Sequence, residues 1–125
     1  GAAFKPNSDD LRDSPALEVA QQIWSRGADL VITDPAAADA LRNKLPNLKV
    51  VDTVAEAVAG ADVVLLLTEW QEYRDLDPRE LRALVRTPNI VDGRNVLDPQ
   101  RWLDAGWTYR GMGRLAGPAA ARAQV

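Results

Sequence analysis

Residues 63–67 read Val-Val-Leu-Leu-Leu, five apolar side chains with no polar residue among them. An extended segment without alternation has no face suited to water, so it needs packing on both sides. That is the signature of a strand in a helix-covered parallel sheet. The run therefore predicts an α/β fold with this strand near the middle of its sheet.

The flanking segments repeat strand and helix along the chain. Ser14-Pro15 reads as a helix start, with Ser14 as N-cap and Pro15 at the first helical position. Ala16, Val19, Ala20 and Ile23 then recur at helical spacing, and Gly27 supplies a left-handed stop. Leu30 to Ile32 reads as a strand, Pro35 to about Leu45 as a helix, and Val50-Val51 as a strand. Thr53 caps a short helix through Ala59. After the apolar run comes an acidic and aromatic loop, Thr68-Glu69-Trp70. Asp77-Pro78 then starts a helix with Leu81, Leu84 and Val85 on one face. Ile90-Val91 forms a strand, Asp98-Pro99 starts a helix carrying Trp102 and Leu103, and Trp107 to Arg110 close with a strand.

Such an order predicts a right-handed, three-layer α/β/α Rossmann-like parallel sheet. Only Gly1 to Phe4 are left for the first strand, which is normally central. The chain is thus expected to be the C-terminal piece of something longer, with a truncated first strand and a gap or stub in the sheet. Residues 1–114 read as one domain and 115–125, rich in Ala, Gly and Arg, as a disordered tail.

Of the 125 residues, 46% are hydrophobic, enough for a single core, and none is Cys or His. Thiolate nucleophiles, the usual zinc ligands and the Ser-His-Asp triad are therefore excluded within the chain. A formal net charge of -3 argues against a nucleic-acid footprint. No apolar run is long enough to cross a bilayer, and no secretory signal is present, so a cytoplasmic location is expected.

In open α/β sheets ligands lie beyond the carboxyl ends of strands. Lys5 and Arg94 are the basic groups to weigh there. Together they can hold a diphosphate, Arg94 bidentately and Lys5 as a point charge; alternatively both are solvated and paired with neighbouring acids. Arg12, among Asp9, Asp10 and Asp13, reads equally as a local ion pair or a ligand contact. The Asp9-Asp10 pair reads as a turn former and Asp34 as a cap before Pro35, although Asp34 also sits where a dinucleotide fold places its ribose-binding acid. Gly111 to Ala116 match G-x-G-x-x-A, but with too little chain beyond for a βαβ unit. The four Trp residues read as core or interface groups, with Trp70 left open as a ligand stacker.

The opening stretch GAAFKPNSDDLRDSP, together with Asp34-Pro35, Thr68-Glu69-Trp70, VDGRNVLD at 91–98 and GWTYRGMGR at 106–114, resembles the UDP-binding C-terminal domain of the UDP-glucose/GDP-mannose dehydrogenase family. That resemblance covers residues 1 to 114. It implies a two-step, NAD-dependent oxidation of a sugar C6 alcohol to a carboxylate through a catalytic cysteine, which would lie upstream with the N-terminal NAD-binding domain and the dimerising helix. By motif position it implies that Phe4, Lys5 and Arg94 meet the UDP-sugar and that Arg12 reaches NAD. No catalytic residue and no metal ligand is assigned to this chain. The Lys5 to Asp10 stretch looks most like the UDP-glucose branch, with the UDP-N-acetylmannosamine and GDP-mannose branches as alternatives.

Two readings of another class remain. A phosphorylation receiver domain also has a parallel sheet, and Asp9-Asp10, Asp52 and Thr68 map onto its acidic pair, aspartate and threonine. It needs a Lys after the fifth strand, where this chain has Asp92-Gly93-Arg94. A stand-alone nucleotide-binding module would need a complete first strand of its own.

Overall fold

The computed structural model describes residues 1–2 and 14–112. Among these the order is α1 (Pro15–Ser25), β1 (Val31–Ile32), α2 (Ala38–Lys44), β2 (Lys49–Val50), α3 (Val54–Val58), β3 (Val64–Leu66), α4 (Gln71–Arg74), α5 (Pro78–Arg82), β4 (Asn89–Asp92), α6 (Pro99–Asp104) and β5 (Thr108–Gly111). Every ladder is parallel: β1 with β2, β3 with β4, and β4 with β5. The fold is a Rossmann-like parallel α/β arrangement, as the apolar run predicts. The chain divides into two compact units, Gly1–Ala57 and Val58–Val125.

In the first unit, Ser14 starts α1 by two hydrogen bonds. Its Oγ accepts from the Leu17 N–H at 3.2 Å and donates to the Ala2 carbonyl at 2.6 Å. The helix ends in a Schellman motif: Gly27 at φ 91° donates to Trp24 O, and Ala28 donates to Ile23 O. Its buried side chains are Ala16, Leu17 and Ala20, while Val19 and Trp24 face outward. The apolar stripe is thus turned toward Leu17 relative to the expected one. Ala2, Leu17, Ala20, Ile32, Ala37, Leu41 and Leu48 form the core here. The second helix begins at Ala38, three residues later than Pro35 suggests. Asp34 Oδ1 accepts from the N–H groups of Ala36 and Ala37 at 2.9 and 2.8 Å, which holds residues 35–37 as a turn. Thr53 caps α3 as expected, its Oγ1 accepting from the Glu56 N–H at 3.1 Å.

In the second unit β4 is the middle strand, between β3 and β5. The apolar run therefore lies at the edge of its ladder among the described residues, and Val63 is 49% exposed. The sequence assigns Gly1 to Phe4 to a further strand; Gly1 and Ala2 are described and are not in a strand, while Ala3 and Phe4 lie outside the described residues. Leu84 is also outward-facing, because α5 stops at Arg82 and Leu84 no longer follows the helical face of Leu81. Asp77 and Asp98 cap α5 and α6 through Oδ1, accepting from the N–H of Arg79 and Gln100. Trp102, fully buried, meets Trp107 edge to face at 4.9 Å, and the Trp107 indole donates to Pro78 O at 2.8 Å. At the amino end of the ladder, the Arg86 guanidinium grips Asp62 and holds its carboxyl below the usual carboxylate range. No helix of the described residues is long and apolar enough to cross a membrane.

Candidate functional site

Parallel strands bring their carboxyl ends to one edge, and there β3 and β4 place Thr68 to Trp70 beside Asp92 to Leu97. Gly93 donates to Leu66 O at 2.8 Å, so the two segments stay paired one residue beyond β4. A Cβ at position 93 would lie 3.0 Å from Leu67 Cδ2 and 3.3 Å from Leu66 O. Only glycine fits this approach without displacing a neighbour.

Asp92 is completely buried and organises the turn that follows. Its Oδ1 accepts from the N–H of Arg94 at 3.3 Å and of Val96 at 3.1 Å. Its Oδ2 accepts from the Leu97 N–H and the Tyr109 hydroxyl, each at 2.8 Å. Asn95 adopts φ 55°, a left-handed conformation that Asn tolerates better than most residues. Its amide pairs reciprocally with Met112, donating to the carbonyl at 2.6 Å and accepting from the N–H at 2.9 Å. The loop is therefore pinned at Asp92, Gly93 and Asn95.

Arg94 stands between these anchors with its side chain 41% exposed. Its Nε and Nη2 both donate to Glu69 Oε1, at 3.1 and 2.8 Å. Next to Glu69, the Thr68 hydroxyl and the Trp70 indole N–H are buried without a hydrogen-bond partner among the described residues. The edge thus combines a guanidinium on a fixed loop, a carboxylate that occupies it and two unsatisfied polar groups. A planar guanidinium in this setting suits an oxyanion acceptor such as a phosphate.

Of the residues that the sequence singles out, Arg94 is found at this edge, whereas Phe4, Lys5 and Arg12 lie outside the described residues, as do Asp9 and Asp10. Asp34 is a structural acid, since its Oδ2 accepts from the Ala2 N–H at 2.8 Å while Oδ1 holds the turn. Asp52 is engaged by Arg42 at 2.7 Å. Trp70 is buried, as core residues are, and not presented as an exposed stacking platform. Among the described residues no group of three or more acidic side chains is placed to hold a metal. The roles of Asp92, Glu69 and Asn95 were not assigned from sequence. For Asp92 a signal existed: alternation along β4 puts it on the same buried face as Ile90.

Residues 1–99 match the model of the UDP-glucose/GDP-mannose dehydrogenase family, UDP binding domain. The chain belongs to this family. It is 38% identical over 120 residues to UDP-glucose 6-dehydrogenase of Pseudomonas aeruginosa, covering 91% of the chain and 26% of that protein. A UDP-glucose 6-dehydrogenase of Rhizobium meliloti is 38% identical over 114 residues, with the same coverage. The chain thus spans about a quarter of the length of the curated dehydrogenases it matches. Among solved structures, an NDP-N-acetyl-D-galactosaminuronic acid dehydrogenase from Methanosarcina mazei superposes with a TM-score of 0.79 at 28% identity, over 91% of this chain and 23% of the other. A UDP-glucose dehydrogenase from Pyrobaculum islandicum gives 0.71 at 33% identity, over 89% and 23%. Within the UDP-glucose/GDP-mannose dehydrogenase family this segment is the UDP binding domain.

Proposed function

We propose that the chain is the UDP-sugar-binding domain of an NAD-dependent UDP-glucose 6-dehydrogenase, in which residues 1–114 form the domain. The observation that carries this reading is Arg94, a guanidinium held on a pinned loop beyond the carboxyl end of β4, in a chain whose family model is a UDP binding domain. In this account Arg94 donates to the diphosphate of the UDP-sugar, and Phe4 and Lys5 meet the same ligand. Arg12 contacts NAD.

The oxidation itself needs groups the chain does not carry, because it contains no cysteine. NAD, when bound, accepts the hydrides released as the C6 alcohol becomes a carboxylate. Among the described residues, both Asp34 oxygens accept from backbone N–H groups, and Gly111 is the last residue of β5. NAD is therefore assigned mainly to an N-terminal domain of the whole protein, which we take to be a cytoplasmic homodimer without nucleic-acid or membrane partners.

The test is turnover by the full-length protein, followed as NADH formation with UDP-glucose, UDP-N-acetylmannosamine and GDP-mannose. UDP-glucose is expected to be oxidised to UDP-glucuronate most efficiently. Preference for either other sugar nucleotide would reassign the substrate, and no turnover of any would overturn the dehydrogenase reading.

A further inference from the structure

Glu69 is the side chain that meets the guanidinium of Arg94, and it does so with a single oxygen shared by two N–H groups. That geometry is what a ligand oxyanion at the same position would use. We infer that Glu69 is an internal stand-in for the ligand's phosphate, pairing with Arg94 until a diphosphate binds and then leaving it. The inference rests on the reading of Arg94 as a diphosphate contact.

Three observations favour displacement over a permanent bond. First, the pair is weakly held: Glu69 and Arg94 are 35% and 41% exposed, and ion pairs so open to solvent contribute little. A diphosphate brings more negative charge and can accept from the guanidinium bidentately, so it prevails in the exchange. Second, the loop does not depend on Glu69 for its shape. Asp92 holds the backbone of residues 94, 96 and 97, Gly93 is bonded to Leu66, and Asn95 is clasped to Met112. Third, Glu69 sits between Thr68 and Trp70, whose buried hydroxyl and indole N–H have no partner among the described residues, so no side-chain bond from those residues locks the segment at these two atoms. The carboxylate therefore lowers affinity twice, by competing for Arg94 and by repelling the approaching phosphates, and it keeps Arg94 from pairing elsewhere before the ligand arrives.

The experiment measures UDP affinity by calorimetry on the full-length protein for wild type, Glu69→Gln, Arg94→Ala and the double variant, with thermal unfolding to confirm that each is folded. Glu69→Gln keeps the side-chain shape and removes the charge. It is expected to tighten UDP binding about two- to five-fold, the range set by the strength of exposed ion pairs. The gain should shrink as ionic strength rises. In the Arg94→Ala background the same substitution should change affinity by less than it does in wild type. Weaker or unchanged binding by Glu69→Gln, with Arg94→Ala still impaired, would overturn the stand-in role while leaving Arg94 in place. An equal gain in both backgrounds would reduce Glu69 to a general charge and also overturn it. Unchanged affinity in Arg94→Ala would instead remove the reading on which the inference stands.

Discussion

At the scale of single residues, the loop after β4 places an acid inside so that a base can be presented outside. Asp92 is worth burying because backbone N–H groups and the Tyr109 hydroxyl converge on its two oxygens. Asp92→Asn turns one acceptor into a donor facing other donors, and should destabilise the protein by about 1–3 kcal/mol, the cost of a buried unsatisfied group. Urea unfolding measures it. On the proposed role of Arg94 as a diphosphate contact, Arg94→Ala should weaken UDP binding by about 2 kcal/mol, roughly 30-fold. Arg94→Lys should recover only part of this, because an ammonium lacks the planar fork. The position of Arg94 beyond the carboxyl end of a strand was legible from the sequence. The partnership with Glu69 was not, since 25 residues separate them and only the parallel pairing of β3 with β4 brings the two loops together.

At the scale of elements, the legible features were those with local chemistry. Ser14-Pro15, Asp77-Pro78 and Asp98-Pro99 each fix a helix start through one side chain and one missing N–H, and each helix begins at its proline. Ser14→Ala should cost about 1 kcal/mol of stability, seen in chemical denaturation, because it removes the cap of α1. It also frees the Ala2 carbonyl, so amide exchange should quicken at the start of α1. Asp34-Pro35 looked the same in sequence, yet Asp34 holds a turn and α2 starts later. One dipeptide does not say how long the capped segment stays non-helical. The single turn of α4 carries no capping side chain and escaped notice. The apolar run announced a parallel strand; its position in the full sheet turns on the segment that includes residues 3–13, which lie outside those described. Packing by aromatic residues is more predictable in its consequence: Trp102→Ala empties the fully buried contact with Trp107 and should cost about 3–5 kcal/mol, measured by thermal or urea unfolding.

At the scale of the whole molecule, composition limits the chemistry the chain can carry, because with no cysteine and no histidine it has no thiolate nucleophile and no imidazole general base. The 125-residue chain alone is accordingly expected to oxidise no UDP-glucose in the presence of NAD, an outcome that the NADH assay checks directly. The central claim is that the loop after β4 delivers Arg94 to the diphosphate of a UDP-sugar. A crystal structure of the full-length protein with UDP-glucose tests it most directly. The account predicts diphosphate oxygens within hydrogen-bonding distance of the Arg94 guanidinium, an unchanged Asp92 loop, and Glu69 withdrawn from Arg94. A diphosphate bound elsewhere, with Arg94 still paired to Glu69, would contradict it.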